Sequence, residues 1–394
     1  MKILALSYLY PNSLYPHYGI FVHNRLKAVS KYHEVKVINP IPWFPGCGRL
    51  ARYKNYDKIP LEENIDGIDV YHPRFFVIPK LFKFIDAFTY KVAVMPLVEK
   101  INKSYLFDLI DLHWTYPDLP TGSAIKKKYS KKMLVTLRGK AAFHINEGIG
   151  RELLIRKYLL LADAVVGLSQ ELIDMAVSLG VNENQCHVIR NGVDLGLFNY
   201  VDQEESRRHL GLPSNEKIIL SVGSLVHGKG FDRIFRSLPK ILSNYPNCKF
   251  YIIGGEGPAG RFKKQFYEIV EEYALQDNVT FVGIVKNKDL RYWYNAADIF
   301  CLASRSEGSP NVLTEALACG CPSVATDVGS VKEIIVSNDL GLVVDNSFDG
   351  VTNGLHSMLV RSVWDRRENS LAMSAYDWSW CAQKTSCVYS QVME

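Results

Sequence analysis

The sequence predicts an α/β protein made of two doubly wound parallel-sheet domains facing across a cleft. Three observations lead there. Short apolar and β-branched runs alternate with amphipathic helical patterns along almost the whole chain, which is the pattern of parallel sheets covered by helices on both faces. The alternation restarts after Asn191-Gly192-Val193-Asp194, where the Asn-Gly pair signals a turn. The chain has 394 residues, 47% of them hydrophobic, which is more than one ordinary core holds.

The first series opens with a strand over 2–10. A loop rich in turn residues follows (Pro11, Asn12, Pro16, Gly19), then an amphipathic helix over 20–32 and a strand over 34–39, a βαβ unit. Further strands are expected at 67–72, 108–113, 133–137, 163–168 and 186–190. The second series places strands at 217–223, 249–254, 279–283, 298–303, 322–326 and 341–345. Helices fall near 230–243, 259–274, 287–296, 310–319 and 347–360. Each series reads as a Rossmann-like domain. In such open sheets ligands bind at the carboxyl ends of the strands, so the loops that follow strands carry the functional interest.

Composition narrows the class. Eight cysteines are scattered without a CxxC pair or a Cys/His cluster, so neither a zinc site nor a disulfide framework is expected, and reduced thiols fit a cytoplasmic protein. The opening MKILALSYLYPNS is too short and too interrupted for a signal peptide and reads as a buried first strand. No run reaches the roughly 18 uncharged apolar residues of a membrane span. Net charge is +5 but uneven: residues 1–200 hold 26 Lys+Arg and 18 Asp+Glu, and residues 201–394 hold 20 and 23. Within the first half, Lys126-Lys127-Lys128 and Lys131-Lys132 cluster, and Lys80, Lys83 and Lys91 interleave with Leu81, Phe82, Phe84 and Phe88. That surface is either a solvated helix face or a contact for anionic lipid headgroups or an anionic acceptor. Nothing resembles a nucleic-acid-binding module, so no nucleic acid is expected.

Three post-strand loops in the second half suit a diphosphate and a sugar. Ser221 to Gly230 is glycine-rich, with Lys229 to supply charge, although it is not a P-loop. Ile253-Gly254-Gly255-Glu256-Gly257-Pro258 is a second such loop. The third, SRSEGSPNVLTEALACGCP over 304–322, carries Glu307 and Glu315 eight positions apart. Ser309 is expected as N-cap, Pro310 in the first helical position and Gly320 just past the end. Glu307 then precedes the helix and Glu315 sits within it. Both carboxylates could simply complement the helix dipole. Alternatively they accept hydrogen bonds from the vicinal hydroxyls of a sugar and a ribose, with a phosphate at the helix start near Asn311 and Val312.

Together these segments resemble the retaining GT-B glycosyltransferases of family 4. The resemblance rests on EGSPNVLTEALACGCPSVAT, VGSLVHGKGFDRI (222–234), IIGGEGP (252–258), VTFVGIV (279–285), AADIFCLAS (296–304), VGSVKEII (328–335) and VIRNGVD (188–194), all in the family's order. DLHWTYPDLPTG (111–122) and VTLRGK (135–140) resemble its first-domain segments. The resemblance implies an acceptor-binding domain over 1–194 and a donor-binding domain over 195–376. It also implies that a final helix, 377–394, crosses back onto the first domain. It implies transfer from a UDP- or GDP-linked sugar to a hydroxyl with retention of configuration, no cofactor and no metal. The chain contains no Asp-x-Asp.

Residue by residue, the resemblance implies that Lys229 meets the diphosphate, Glu307 the donor sugar and Glu315 the ribose. Gly308, Ser309, Pro310, Asn311 and Val312 form the backbone beside sugar and phosphate. Gly19, Ser224, Gly255 and Glu256 line the donor, and His113 and Arg138 lie near the reacting centre. The sequence departs from the family at Ser224, where Arg is common, at Tyr18-Gly19, where Gly-Gly is common, and at Arg138 to Ala141, where Arg replaces the family's His, a variant some members share, and the acidic residue is absent. The acceptor is expected to be a growing or lipid-linked surface polysaccharide at the inner face of the cell membrane. A nucleotide-sugar epimerase and an inactive nucleotide-sugar-binding protein are the competing readings.

Overall fold

The computed structural model describes residues 1–49, 53–79, 85–139, 149–256, 262–361 and 363–394. The expectations placed on Lys80 to Phe84, Lys140, Ala141, Gly257 and Pro258 lie outside these residues. The chain forms two compact units, Met1–Asn191 with Trp378–Glu394, and Gly192–Asp377. The division falls after Asn191 and after Asp377, not after Asp194 and Tyr376 as expected from the sequence.

Unit 1 contains β1 (Lys2–Leu6), β2 (Glu34–Ile38), β3 (Ile41–Trp43), β4 (Glu62–Ile65) and β5 (Ile68–Tyr71). Then come β6 (Arg74–Phe76), β7 (Leu109–Leu112), β8 (Lys132–Leu137), β9 (Ala164–Gly167) and β10 (Cys186–Val188). Eight of them form one sheet in the order β10-β9-β8-β7-β1-β2-β5-β4, and β3 pairs with β6 in a separate ribbon. Every pairing in the large sheet is parallel except β4 with β5. Both faces are buried, and alternate residues of one strand feed different layers. Ile3 and Ala5 join one core with Val22 and Leu26 of the helix Ile20–Val29, while Leu4 and Leu6 join another with Tyr90 and Val94. Each Val, Leu or Ile side chain among them contributes about 1.5–3 kcal/mol on burial. The final helix, Trp378–Met393, places Cys381, Val388 and Tyr389 in the first of these cores.

Unit 2 contains β11 (Lys217–Val222), β12 (Cys248–Ile253), β13 (Val279–Gly283), β14 (Ile299–Leu302), β15 (Ser323–Thr326) and β16 (Gly341–Val344). They form one parallel sheet in the order β13-β12-β11-β14-β15-β16. Its chain direction reverses at β11, where β12 leads one way and β14 the other. That arrangement leaves the loops after β11, β12 and β14 side by side at the carboxyl edge, where open α/β sheets take ligands. The same reversal occurs in unit 1 at β1, between β2 and β7. The first strand ends at Leu6, short of the expected Tyr10, because Ser7 turns its hydroxyl onto the Leu9 carbonyl and opens the loop.

Candidate active site

In unit 2 the three expected loops meet. The loop after β11 carries Lys229, whose aliphatic stem lies against Gly223. Gly230 follows in the left-handed conformation at φ 68°, and a β-carbon there would stand 1.9 Å from the Ala303 carbonyl oxygen. Only glycine lets the two loops approach so closely. The loop after β12 is tied to its neighbours by backbone bonds, Leu225 N–H to Gly255 O at 2.9 Å and Gly223 N–H to Ile253 O at 2.8 Å. Ser224 is exposed, and Glu256 forms an ion pair with Lys263 at 3.0 Å.

The loop after β14 presents Glu307. Lys229 Nζ donates to its Oε1 at 2.6 Å and Ser304 Oγ to the same oxygen at 2.7 Å. The carboxylate is thus oriented through one oxygen, and Oε2 remains to accept from a ligand. Gly308 O accepts from Ser330 N–H at 3.0 Å, which fixes the backbone before the helix. That helix is Asn311–Ala318, with Pro310 in the cap position at ψ 97° and no side-chain cap. The expected cap at Ser309 and first-turn Pro310 are therefore each displaced by one position. The carbonyl of Pro310 accepts from Leu313 N–H, and the first-turn N–H groups of Asn311 and Val312 stand at the positive helix end beside Gly308 and Ser309. Gly320 lies just past the helix at φ 72°, as expected of a glycine there.

Glu315 lies in the helix body and accepts from the Tyr294 hydroxyl at 2.9 Å. Burial pushes its carboxyl up to about 7, and the Tyr294 bond only partly offsets that. Glu307 and Glu315 therefore have different partners and different environments. Two further residues support the first loop. Arg305 makes a paired contact with Asp232, Nη1 to Oδ1 at 2.9 Å and Nη2 to Oδ2 at 2.8 Å, and Nη1 also donates to His227 O at 2.7 Å. Ser304, Tyr294, Arg305 and Asp232 were not singled out from the sequence. Arg305 and Ser304 flank the Glu307 motif, so their position was visible there, but their partners were not.

In unit 1, Arg138 and His113 come together at the carboxyl ends of β8 and β7. Arg138 Nη2 donates to His113 Nδ1 at 2.7 Å, and Nη1 to Asn191 Oδ1 at 3.4 Å. An arginine is always a donor, so Nδ1 must be unprotonated and the ring proton sits on Nε2. Nε2 is 3.0 Å from Asp111 Oδ2, a close but poorly aligned contact. Tyr389 donates its hydroxyl to the same Asp111 oxygen at 2.5 Å. All of His113, Asp111 and Tyr389 are fully buried. Burial holds the His113 pKa down. Burial works against the Asp111 charge, yet His113, Tyr389 and Arg25 keep its pKa below the ordinary carboxylate value. Burial, then the nearby Arg25, pushes the Arg138 guanidinium down to about 9. His113 Nδ1 is committed to Arg138 and so positions the guanidinium, while Nε2 lies against Asp111 without an aligned hydrogen bond. Gly19 precedes the helix Ile20–Val29 at φ 70°, where a β-carbon would stand 2.6 Å from the Leu9 backbone.

No group of three or more His, Cys, Asp or Glu side chains suited to a metal ion occurs among the described residues. No helix among them is long and apolar enough to cross a membrane.

Comparison with known proteins places this geometry in a family. The family model described as Glycosyltransferase Family 4 matches residues 20–197, and the one described as Glycosyl transferases group 1 matches residues 202–360. A Bacillus subtilis glycosyltransferase named for teichuronic acid biosynthesis is 27% identical over 372 residues, which are 92% of this chain and 90% of that protein. Sucrose-phosphate synthase from Thermosynechococcus elongatus superimposes with a TM-score of 0.80 at 22% identity, over 100% of this chain and 99% of that one. Anabaena HepE, solved with UDP, gives 0.75 at 19% identity, over 99% and 100%. These two likenesses establish the fold, GT-B. The chain is an enzyme of the group 1, family 4 glycosyltransferases.

Proposed function

We propose that this enzyme moves a glycosyl group from a nucleoside diphosphate sugar to a hydroxyl of a glycan or lipid-linked glycan, with retention of configuration and without a divalent metal. The observation that carries this reading is the Lys229–Glu307–Ser304 contact set beside the helix start at Asn311. It supplies a cation, an oriented carboxylate and backbone donors on neighbouring loops. Lys229 and the helix end stabilise the departing diphosphate, as preorganised donors do for developing negative charge. Glu307 accepts from sugar hydroxyls through Oε2, and Glu315 from the ribose.

A retaining double displacement needs a nucleophile and a second carboxylate about 5 Å apart. Glu307 is tied to Lys229 and Glu315 to Tyr294, so the pair does not suit that role. We therefore favour front-face displacement. The acceptor oxygen forms its bond to the anomeric carbon as the bond from that carbon to the phosphate oxygen breaks. The acceptor proton passes to the departing phosphate. Arg138, held by His113 and Asn191, adds positive charge on the acceptor-binding unit.

The UDP recorded with HepE supports a uridine nucleotide as donor. The name of the Bacillus relative supports a cell-surface polysaccharide as acceptor. Contact with an anionic membrane is supported by exposed Phe88 with the Lys91 ammonium 6.0 Å above its ring, and by exposed Leu160 and Leu161 beside Lys127 and Lys131. Sedimentation with anionic vesicles checks that contact, and absence of binding at low salt counts against it.

The test of the reaction is nucleoside diphosphate release from UDP- and GDP-hexoses, with and without an oligosaccharide acceptor, followed by NMR of the new anomeric proton. Release that requires acceptor and gives the donor's configuration is expected. Quantitative conversion of donor to free sugar without acceptor would favour an epimerase, and an inverted product would overturn front-face displacement.

A further inference from the structure

Unit 1 has a cavity that the donor machinery does not use. It is a small recess of about 60 Å³ that opens to solvent, and five of its lining residues are tyrosines: Tyr8, Tyr15, Tyr18, Tyr53 and Tyr56. Asn12 and the prolines Pro40 and Pro42 complete much of the wall. The rings are arranged against one another. Tyr15 and Tyr53 each meet Tyr56 edge to face at 5.6 Å between centroids, and Tyr8 meets Phe75 at 6.3 Å. The Tyr15 hydroxyl donates to the Lys54 carbonyl, which fixes that ring. Asn12 Oδ1 accepts from Leu14 and Tyr15 N–H at 3.1 and 3.0 Å, which fixes the loop. Tyr53 is 9% exposed and Tyr18 is 43% exposed, so the cluster runs from a packed base to an open rim.

Its place in the fold is as informative as its composition. Tyr8 and Asn12 follow β1, and Pro40 and Pro42 follow β2, so the cavity lies at the carboxyl edge of the sheet where its direction reverses. Arg138 and His113 follow β8 and β7 on the same edge, and β7 is the neighbour of β1. Tyrosines offer a flat apolar face to sugar C–H groups and a hydroxyl to sugar oxygens, with few rotatable bonds to fix on binding.

We propose that this tyrosine cavity is a pyranose-binding subsite that holds a ring of the glycan acceptor by stacking, with Tyr18 as its rim and the half-buried Tyr56 as its wall above Tyr53. The role as acceptor subsite rests on the glycosyltransfer reading above, but sugar binding does not and is measured directly.

The test is saturation-transfer NMR of the full chain with methyl pyranosides of glucose, galactose, mannose and N-acetylglucosamine. It is repeated with Tyr18→Ala, Tyr56→Leu and the surface control Lys264→Ala. At least one pyranoside is expected to receive saturation at its ring C–H protons. Binding should weaken about tenfold in each tyrosine variant, the equivalent of about 1.4 kcal/mol, and be unchanged in Lys264→Ala, whose side chain is exposed and outside both sites. Tyr18 is at the rim, so its loss leaves the fold intact, and an unchanged melting temperature checks this. Transfer to no pyranoside would overturn the proposal, as would equal transfer in wild type and Tyr18→Ala, or preferential binding of tetramethylammonium, which an aromatic cage for cations would show. Nucleotide binding by the same variants reads the donor site separately, so failure of one site is not mistaken for failure of the other.

Discussion

Lys229 Nζ and Ser304 Oγ both bond to the same oxygen of Glu307, at 2.6 and 2.7 Å. The lysine and the glutamate lie 78 positions apart and come from the loops after two adjacent strands. The carboxylate is thus held in place before any donor arrives, and the lysine charge that a diphosphate needs is already there. Preorganisation of this kind lowers the cost of assembling a site at the moment of reaction.

Lys229→Ala should lower kcat/KM for transfer by about 10²–10³, the usual effect of removing one preorganised donor. Glu307→Gln should also lower it. Because the two side chains are in contact, the double variant should lose less than the sum of the single losses in free energy. Steady-state kinetics of the three variants checks this, and strict additivity would argue that the contact plays no part.

Asp111→Asn should destabilise the fold by about 3–5 kcal/mol, because it leaves Arg25 and Arg138 buried without the carboxylate that balances them. Tyr389→Phe, which removes only the hydroxyl donated to Asp111, should cost nearer to about 1 kcal/mol. Urea midpoints of both variants test the ordering. Activity should fall with kcat while the donor KM stays, since the buried set acts through Arg138.

The pH dependence of stability should change in Glu315→Gln. Burial raises the folded-state pKa of Glu315 from 4.5 to about 7. The stability linked to its protonated form is fully present below the unfolded-state value and is lost as pH rises through about 7. Asp118, raised by burial from 3.8 to about 7, behaves the same way and remains in the variant. Glu315→Gln cannot ionise, so its melting temperature should fall less than that of wild type between about pH 5 and about pH 9. An identical fall in both would contradict the burial of Glu315.

Much of this was legible from the sequence. The central strands of both large sheets are mostly apolar runs buried on both faces, and such runs declare themselves without partners. What escaped was short or polar. Ile41–Trp43 contains a proline and pairs only with Arg74–Phe76, Glu62–Ile65 is a charged edge strand, and Gln203–Leu210 is an almost wholly polar helix. In the candidate site the loop motifs marked Lys229, Glu307 and Glu315. The partners of those residues could not be read, because Tyr294 bonds to Glu315 from another helix and Lys229 to Glu307 from another loop, and the turn of the neighbouring Ser304 hydroxyl onto Glu307 is a matter of loop geometry. The Asp111–Tyr389 bond joins residues 278 apart, which no local pattern reveals. Asp111 and His113 do alternate at a strand end, so their side chains share a face, and that was the available signal. His113 was expected near the reacting centre as a catalytic group; it is buried there with Nδ1 held by Arg138, a partner that no local pattern reveals.

The most direct test of the central claim is a thermal-shift titration of wild type and Lys229→Ala with UDP, GDP and ADP, with and without EDTA. A ligand that binds only the folded chain raises stability by RT ln(1 + [L]/Kd). One nucleotide is expected to raise the melting temperature of wild type, the rise to survive EDTA, and the rise to be lost in Lys229→Ala. No shift with any nucleotide, or an equal shift in Lys229→Ala, would contradict a diphosphate site built on Lys229 and Glu307.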